Sequence, residues 1–330
     1  MKQSPHQFSL LILLLTVTFY SASTKAQNTE IFFADPTIYS EKGKYYLTGT
    51  RELPPEGFSV LESENLKDWY EPDRKNKPFM LFTPQKDNFG TKGFWAPQIL
   101  KNKKSYYLTY TANEQTTITQ SDKITGPYRQ TEVKPIDNSE KNIDSYIFKD
   151  DNGKYYLYHV RFNHGNYIWV AEFDFKAGKI KSETLTQCFK NTQDWEATPN
   201  YKSDPVMEGP TVIKMKGVYY LFYSANHYRN IDYAVGYATA KSPLGPWTKS
   251  SENPIIHRSI TGENGAGHGD VFFDKKKNPY YVYHVHYSEN KVAPRRTRIV
   301  PLEFKFNKQT GIYDISIQKD KIIIPKNAKN

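Results

Sequence analysis

Five residues that can take part in chemistry stand at nearly the same distance before five pairs of tyrosines. They lie 10 to 12 residues upstream of the first tyrosine of each pair and are Asp35, Trp95, Asp144, Glu208 and His268. Carboxylates held close together raise at least one pKa, so that a protonated acid and an ionised base coexist near neutral pH. Glycoside hydrolysis needs such a pair. The three carboxylates therefore predict acid–base chemistry on an uncharged sugar, with the indole of Trp95 stacked against the sugar's C–H face.

The tyrosine pairs mark an internal repeat that would position these residues. The pairs begin at Tyr45, Tyr106, Tyr155, Tyr219 and Tyr280, at spacings of 61, 49, 64 and 61 residues. Each lies in a run of β-forming residues that follows a turn and another such run, which is typical of a β-hairpin. Repeated four-stranded units of this length predict an all-β fold, a five-bladed β-propeller, whose innermost strands face a common axis. An irregular β-sandwich is the alternative, and it would not produce five near-periodic copies.

The motifs around these residues resemble glycoside hydrolase family 43. The shared motifs are Ala34-Asp35-Pro36, Trp95-Ala96-Pro97, Ile143-Asp144, Glu208-Gly209-Pro210 and Gly267-His268-Gly269. The resemblance implies a five-bladed propeller and an inverting hydrolase that acts mostly on arabinofuranosides and xylosides. It implies Asp35 as the general base and Glu208 as the general acid. Asp144 would orient Glu208 and keep its pKa high.

The resemblance also implies contacts with substrate and with a metal ion. Trp95 and Phe94 are expected to bind the sugar together with an arginine, for which Arg295 is the candidate and Arg296 the alternative. His268 is implied to help hold a calcium ion through water, so a structural calcium is expected. The chemistry itself requires no cofactor.

A second histidine motif, His284-Val285-His286, could bind a metal because alternate residues of a strand share a face. However, the repeat from Tyr155 to Val160 places His159 in the position equivalent to His284. We therefore interpret His284 as a repeated structural position rather than a metal ligand.

Residues 1–26 match a secretory signal peptide, with a basic start, an apolar run and a small-residue cleavage site before Gln27. The apolar run is too short to cross a bilayer comfortably. We expect export to the periplasm or the outside of the cell, and one propeller domain over residues 27–330. The sequence has one cysteine, which excludes a disulfide framework.

The whole chain has 45 Lys and Arg against 35 Asp and Glu, a net charge of +10. Residues 1–26 hold two lysines and no acidic residue, so the mature chain has a net charge of +8. Its lysines are scattered through turn-like pieces such as 41–44 and 274–278, which favours a solvated surface over a nucleic-acid site. Affinity for an acidic polymer stays open. We expect a monomer that acts on an oligo- or polysaccharide, without nucleic acid or a membrane span.

Two other functions stay open at this point. A retaining propeller hydrolase acting on fructosides would need a carboxylate nucleophile and an Arg-Asp-Pro motif, which the sequence lacks. A carbohydrate-binding propeller without catalysis would be expected to lose one of the three carboxylates, and all three are present. Inverting action predicts that the carboxyls of Asp35 and Glu208 stand about 6.5–9.5 Å apart. The pentoside, the linkage and exo or endo action are left open.

Overall fold

The computed structural model describes Met1 and residues 30–73, 75, 77–197, 200 and 205–328. Apart from Met1, the predicted signal peptide lies outside the described residues. No helix in the described part of the chain is long and apolar enough to cross a membrane.

The strands form five units in chain order, here called blades I to V. Blade I contains β1 (Ala34–Glu41), β2 (Lys44–Thr50), β3 (Phe58–Ser59), β4 (Leu61–Ser63), β5 (Asp68–Trp69) and β6 (Met80–Phe82). Blade II contains β7 (Trp95–Asn102), β8 (Ser105–Ala112) and β9 (Gln115–Ser121). Blade III contains β10 (Asn142–Lys149), β11 (Tyr155–Phe162), β12 (Asn166–Asp174), β13 (Lys179–Ile180) and β14 (Thr186–Gln187).

Blade IV contains β15 (Met207–Met215), β16 (Val218–Ala225), β17 (Ala234–Ala240) and β18 (Thr248–Lys249). Blade V contains β19 (Gly267–Phe273), β20 (Pro279–Val285), β21 (Arg296–Asn307) and β22 (Ile312–Ile317), and β23 (Lys326–Asn327) follows it. The described helices are short: α1 (Arg258–Thr261) and the 3-10 turns Ser182–Thr184, Asp194–Glu196 and Lys319–Lys321.

The first strands of the blades surround a common axis. Strands β1, β7, β10, β15 and β19 contact one another in a closed ring. The chain ends close the circle, because β23 pairs in parallel with β5 of blade I. The N–H of Thr297 in blade V also donates to the carbonyl of Ile31 at 2.9 Å. The predicted five-bladed β-propeller is confirmed.

The repeated tyrosines join neighbouring blades. In three of the five pairs, the first tyrosine packs edge-on against an aromatic ring on the inner strand of the preceding blade. Such contacts join Tyr45 to Phe272, Tyr106 to Tyr39 and Tyr219 to Phe148, with ring centroids 5.9 to 6.3 Å apart. Aromatic burial of this kind holds the blades together in a chain without disulfides.

Each inner strand carries an irregularity at its first residues, where the site lies. The pairing register shifts there in all five blades, as at a β-bulge. One residue per blade has a left-handed backbone at this point, with φ between +38° and +60°: Asp35, Ala96, Asp144, Gly209 and His268. Non-glycine residues in this conformation cluster at functional sites, because the surrounding fold must offset their strain.

The bulges correct one detail of the sequence interpretation. Asp35, Asp144 and His268 occupy the bulge position, whereas Trp95 and Glu208 stand one residue before it. The five are therefore not strictly equivalent. The hairpin turn between the first two strands has two residues in blades I, II and IV and five in blades III and V. The distance from the tyrosine pair therefore selected the bulge residue in three blades and the residue just before the bulge in the other two.

Candidate active site

Asp35 is buried at the start of β1, at the end of the axis where the inner strands begin. Its Oδ1 accepts a hydrogen bond from Nη1 of Arg295 at 3.1 Å, and its Oδ2 accepts one from the Thr50 hydroxyl at 2.6 Å. The Nδ1 atoms of His268 and His284 lie 3.3 and 3.4 Å from Oδ1. Burial alone would raise the pKa of this carboxyl, but the charge of Arg295, the neighbouring His268 and the Thr50 hydroxyl outweigh it and hold the pKa below its usual value. Asp35 is thus ionised at neutral pH.

Glu208 is the second residue of β15 and is also buried. The hydroxyl of Tyr233 donates to its Oε1 at 2.8 Å. Burial raises the pKa of Glu208 to about 7, and the charge of Asp35 adds to that effect, while the bond from Tyr233 opposes it. Glu208 can therefore carry a proton at neutral pH.

Asp144 lies beside both of these carboxyls. Its Oδ2 accepts the backbone N–H of Gly209, the residue after Glu208, at 3.3 Å. Burial raises the pKa of Asp144 well above its usual value, and the charges of Glu208 and Asp35 raise it further. Asp144 and Glu208 therefore titrate as a coupled pair that retains a proton when Asp35 is already ionised.

A ring of hydrogen bonds joins each blade to the next at the depth of these residues. The bulge N–H of one blade donates to a side chain on the second strand of the blade before it: Ala96 to Thr50, Asp144 to Thr111, His268 to Ser224 and Asp35 to His284. In blade III the equivalent acceptor position, opposite Ile143, is occupied by Val160. The side chain of Val160 has no atom that can accept a hydrogen bond. The N–H of Gly209 donates instead to the Asp144 carboxylate. Because Val160 cannot accept it, the N–H of Gly209 is free to bind Asp144, and this bond holds Asp144 beside Glu208.

Arg295 lies at the site and Arg296 does not. The backbone N–H and the Nε of Arg295 donate to the Glu52 carboxylate at 2.6 and 3.0 Å. Its guanidinium also lies 4.6 Å from the centroid of the Tyr228 ring. Arg296 turns away and donates to the carbonyl of His286. Of the two arginines that the sequence left open, Arg295 is the one placed to contact a bound sugar.

The two predicted aromatic contacts differ in their surroundings. Trp95 is 40% exposed at the start of β7, so its ring is accessible at the site end of the axis. Phe94 is 6% exposed and packs between Phe82 and Tyr110 in the hydrophobic core. Trp95 is therefore available to a sugar, whereas Phe94 occupies the position of a core residue that supports it.

The interpretation of His284 as a position shared with His159 is wrong. His284 pairs with Gly267, and the corresponding residue in blade III is Val160, which pairs with Ile143. His159 is one residue away, and neighbouring strand residues face opposite sides of a sheet. His284 consequently faces Asp35, while His159 is buried away from the site, where burial lowers its pKa to about 4.

The calcium expected from the resemblance has few direct ligands here. A cavity of about 30 Å³ lies on the axis below the carboxylates, bordered by His268 and Asp270. Both oxygens of Asp270 already accept hydrogen bonds, from Thr37 and Thr211 at 2.6 Å. Among the described residues, no three His, Cys, Asp or Glu side chains come together to hold a metal. Calcium takes six to eight oxygen ligands. It would therefore fit only through intervening water, and it stays a prediction on which no step below depends.

Tyr233 was not identified from the sequence, although it touches Glu208. It stands just before β17 in no recognisable motif, and its ring stacks on His284 with centroids 5.8 Å apart. A Cβ on Gly267 would come within 2.3 Å of this ring. Gly267, the first glycine of Gly267-His268-Gly269, is thus the one sequence feature that indicates a close approach of another side chain to the backbone at this point.

Replacing Tyr233 by Phe is expected to move the alkaline limb of the pH profile of kcat/KM upward by about one unit. The hydroxyl stabilises the ionised form of Glu208 and so lowers its pKa. A hydrogen bond to a charged group contributes roughly 1.5–3 kcal/mol, and one pKa unit corresponds to about 1.4 kcal/mol. The measurement is kcat/KM from acid to alkaline pH.

Tyr223 offers a matched control for that experiment. Its buried hydroxyl donates to Glu196 at 2.7 Å, within the same blade but outside the carboxylate site. Replacing Tyr223 by Phe should lower the melting temperature without moving the pH profile. Equal profiles for wild type and the Tyr233 variant would contradict the assigned bond.

Replacing Val160 by Thr is expected to lower kcat about five- to tenfold with little change in stability. The new hydroxyl would accept the N–H of Gly209 and compete with the Asp144 carboxylate for it. Asp144 would lose a bond that lowers its pKa, and the shared proton would shift toward Asp144 and away from Glu208. One hydrogen bond of about 1 kcal/mol sets this magnitude.

A Val160→Ala variant separates the hydrogen bond from packing. It leaves a cavity and no hydroxyl, so it should lower the melting temperature while kcat changes less than for Thr. Loss of kcat that follows stability in both variants would show that Val160 acts through packing alone.

Comparison with known proteins adds the family and the fold. The sequence model described as Glycosyl hydrolases family 43 matches residues 29–308. A crystal structure described as an endo-1,4-beta-xylanase from Bacteroides thetaiotaomicron is 39% identical, with a TM-score of 0.82, and the match covers 92% of this chain and 99% of that chain.

Two relatives with named activities are more distant. A beta-D-galactofuranosidase of Aspergillus niger is 25% identical over 329 residues, which cover 92% of this chain and 88% of the relative. An extracellular endo-alpha-(1->5)-L-arabinanase of Bacillus subtilis is 25% identical over 233 residues, which cover 67% of this chain and 69% of the relative.

Proposed function

The chain belongs to glycosyl hydrolase family 43, and from this premise we propose that it is an exported, inverting hydrolase that releases arabinofuranosyl or xylosyl units from plant polysaccharides. Hydrolysis of glycosidic bonds in plant polysaccharides follows from the family and its relatives. The linkage, the stereochemistry and the export are the proposal. Its main support is the buried trio of carboxyls, of which Asp35 is held ionised while Asp144 and Glu208 share a proton.

In the proposed reaction, Asp35 takes a proton from water as the water oxygen attacks the anomeric carbon. Glu208 gives its proton to the glycosidic oxygen as the bond between that oxygen and the anomeric carbon breaks. The products are a free sugar, the shortened chain, a protonated Asp35 and an ionised Glu208. Return of a proton through solvent restores the starting state.

Asp144 and Arg295 would act through these two groups and through the sugar. Asp144 shares one proton with Glu208, because burial and the charge of Glu208 raise the pKa of Asp144 well above its usual value. While that proton is on Glu208, the neighbouring Asp144 carboxylate opposes its loss. Arg295 keeps Asp35 ionised through its Nη1 contact, and Glu52 fixes the guanidinium in place. The exposed ring of Trp95 would stack on the sugar face.

Proton NMR of the first product tests inversion. A single displacement by water gives the anomer opposite to that of the substrate, before mutarotation mixes the two forms. Appearance of the retained anomer first would point to a covalent intermediate and overturn the roles proposed for Asp35 and Glu208.

A side-by-side assay tests the substrate. The panel is aryl α-L-arabinofuranoside, aryl β-D-xyloside and linear arabinan, to which the Aspergillus niger relative adds aryl β-D-galactofuranoside. We expect turnover of a pentoside in preference to the galactofuranoside. Inactivity on the whole panel would favour the carbohydrate-binding alternative.

Export is supported by the signal-like residues 1–26 and by the extracellular arabinanase among the relatives. Cleavage after Ala26 would leave Gln27 as the first residue of the mature chain. The catalytic carboxyls all lie downstream of that point, so cleavage leaves the site whole.

A further inference from the structure

The net charge of the mature chain is concentrated at one end of the propeller. The turns between the first and second strands of the blades, taken together with the strand-end residues that flank them in blades I to IV, comprise residues 41–44, 101–105, 149–154, 214–217 and 274–278. Together they hold twelve lysines and four acidic residues, a net charge of +8. The mature chain as a whole also has a net charge of +8, so all remaining residues sum to zero. We call these five turns the turn face.

The four acidic residues of the turn face all accept hydrogen bonds or form ion pairs, including the exposed Asp151, which pairs with Lys214 at 3.0 Å. Glu41 accepts from Lys101, and Asp150 accepts from Lys214 at 2.7 Å. Asp274 accepts the backbone N–H groups of its own turn. Four of the twelve lysines form salt bridges, and within the described residues the other eight form none. The outward charge of this face is therefore positive.

The turn face lies at the far end of the inner strands from the carboxylate site. In β1, Asp35 lies six residues before Glu41 at the turn, a separation of about 20 Å at the usual rise per residue. A partner bound at the turn face would leave the site open to substrate.

We propose that the turn face binds a polysaccharide that bears carboxylates along its chain. The five turns contain lysines and no arginine, so they present separate, mobile point charges rather than the rigid fork that clamps a discrete anion. A ring of such charges matches a polymer whose own charges recur along its length. This inference goes beyond the proposed hydrolysis, because it concerns attachment and not the reaction.

The composition of the turn face disfavours a bilayer and a nucleic acid. Met215 is its largest apolar side chain, and it packs partly buried against the core, so the five turns themselves offer no apolar anchor to a membrane. Next to them, Phe273 is 36% exposed. The five turns also contain no aromatic residue on which a base could stack.

The test compares binding of soluble polygalacturonate by the mature chain at low and high salt. The screening length is about 20 Å at about 20 mM NaCl and about 6 Å at about 300 mM, so attraction between separated exposed charges is largely lost at the higher salt and affinity should fall at least about tenfold. Linear arabinan serves as the neutral polymer. Anionic phospholipid vesicles and single-stranded DNA serve as the other polyanions.

Two variants with equal loss of charge locate the site. One replaces Lys103, Lys104, Lys276 and Lys277 by Ser on the turn face. It should bind polygalacturonate at least about tenfold more weakly at low salt, because four of the eight unpaired charges are gone. Hydrolysis of a small aryl glycoside should stay unchanged in this variant.

The matched control replaces Lys86, Lys134, Lys190 and Lys291 by Ser, all of which are exposed outside the turn face. It should bind polygalacturonate within about twofold of wild type, since the local charge of the turn face is intact. Equal weakening by both variants, no binding by wild type, or tighter binding to vesicles or DNA would each overturn the proposal. Because turnover of the aryl glycoside is measured separately, failure of this proposal is distinct from failure of the proposed hydrolysis.

Discussion

Replacing Glu208 by Gln is expected to lower kcat on a natural pentoside about 10²–10⁴-fold. Glutamine has nearly the same size but no proton to give to the departing oxygen. The carboxyl can hold that proton at neutral pH because burial and the charge of Asp35 raise its pKa to about 7. The measurement is kcat on the best substrate of the panel, and near-normal turnover would exclude Glu208 as the general acid.

The leaving group provides the control for this variant. A dinitrophenolate departs without protonation, so an aryl glycoside that carries it bypasses the general acid. We expect the Glu208→Gln variant to lose about tenfold or less on that substrate. A loss as large as on the natural pentoside would indicate damage to binding or folding instead.

Stability gives a second readout for the same variant. The folded-state pKa of Glu208 is raised from 4.5 to about 7, so the folded state binds more protons than the unfolded state between these values. The free energy of unfolding therefore falls as pH rises through this window. Glutamine has no charge to bury, so the variant avoids the cost of ionising a buried carboxyl. We expect its free energy of unfolding at pH 8 to exceed that of the wild type by about 1–3 kcal/mol. Thermal melts at pH 5 and pH 8 measure the difference.

The same pKa values predict the pH dependence of the wild-type enzyme. The acid form of Glu208 is lost as pH rises through about 7, which sets the alkaline limb of kcat/KM. The base form of Asp35 is lost only at acid pH, because its pKa is held below the usual value. Activity should accordingly span the mildly acidic range and fall above neutrality.

The periodic features of this protein could be predicted from its sequence. The tyrosine pairs recur in every blade, and in three of the five the first tyrosine packs against an aromatic ring of the neighbouring blade, so the packing leaves a regular pattern in the sequence. The carboxylates recur because the start of every inner strand faces the axis. Blade number and the identities of Asp35, Asp144 and Glu208 follow from these two regularities.

Features that interrupt the repeat could not be predicted. Two hairpin turns are longer than the others, and this difference concealed that Glu208 stands one residue before the bulge. The turns of blades III and V have equal length, but the tyrosine pair starts at the first residue of β11 and at the second residue of β20. Alignment by the tyrosines therefore matched His284 with His159 instead of Val160. A shift of one residue in a strand moves a side chain to the other face of the sheet. An alignment error of one residue is therefore enough to assign a side chain to the wrong side of the blade.

Contacts between distant segments left no pattern in the sequence either. The bond from Tyr233 to Glu208 depends on a loop that returns to the axis beside Gly267. The pairing of Arg295 with Glu52 joins residues 243 positions apart. Such contacts depend on how distant parts of the chain come together in the fold, and they become visible only in three dimensions.

Replacing Asp35 by Asn is expected to lower kcat about 10²–10⁴-fold on natural and activated substrates alike. The attacking water must lose a proton whichever group departs, and asparagine cannot accept it. Removal of the Asp35 charge also lowers the pKa of Glu208, since that charge helps to raise it. Rates should therefore be compared at the pH optimum of each variant.

Asp270→Asn is the matched control, because Asp270 is a partly buried carboxyl on the same axis, held by Thr37 and Thr211. This variant should retain kcat within a few-fold, since Asp270 contacts neither Asp35 nor Glu208 among the hydrogen bonds and ion pairs of the described residues.

The contrast between the Glu208 and Asp35 variants then decides the roles of these two carboxyls. A general acid is bypassed by a good leaving group and a general base is not. Recovery of turnover by Asp35→Asn on the dinitrophenyl glycoside would therefore exclude Asp35 as the base, whereas equal losses on both substrates place it on the side of the attacking water.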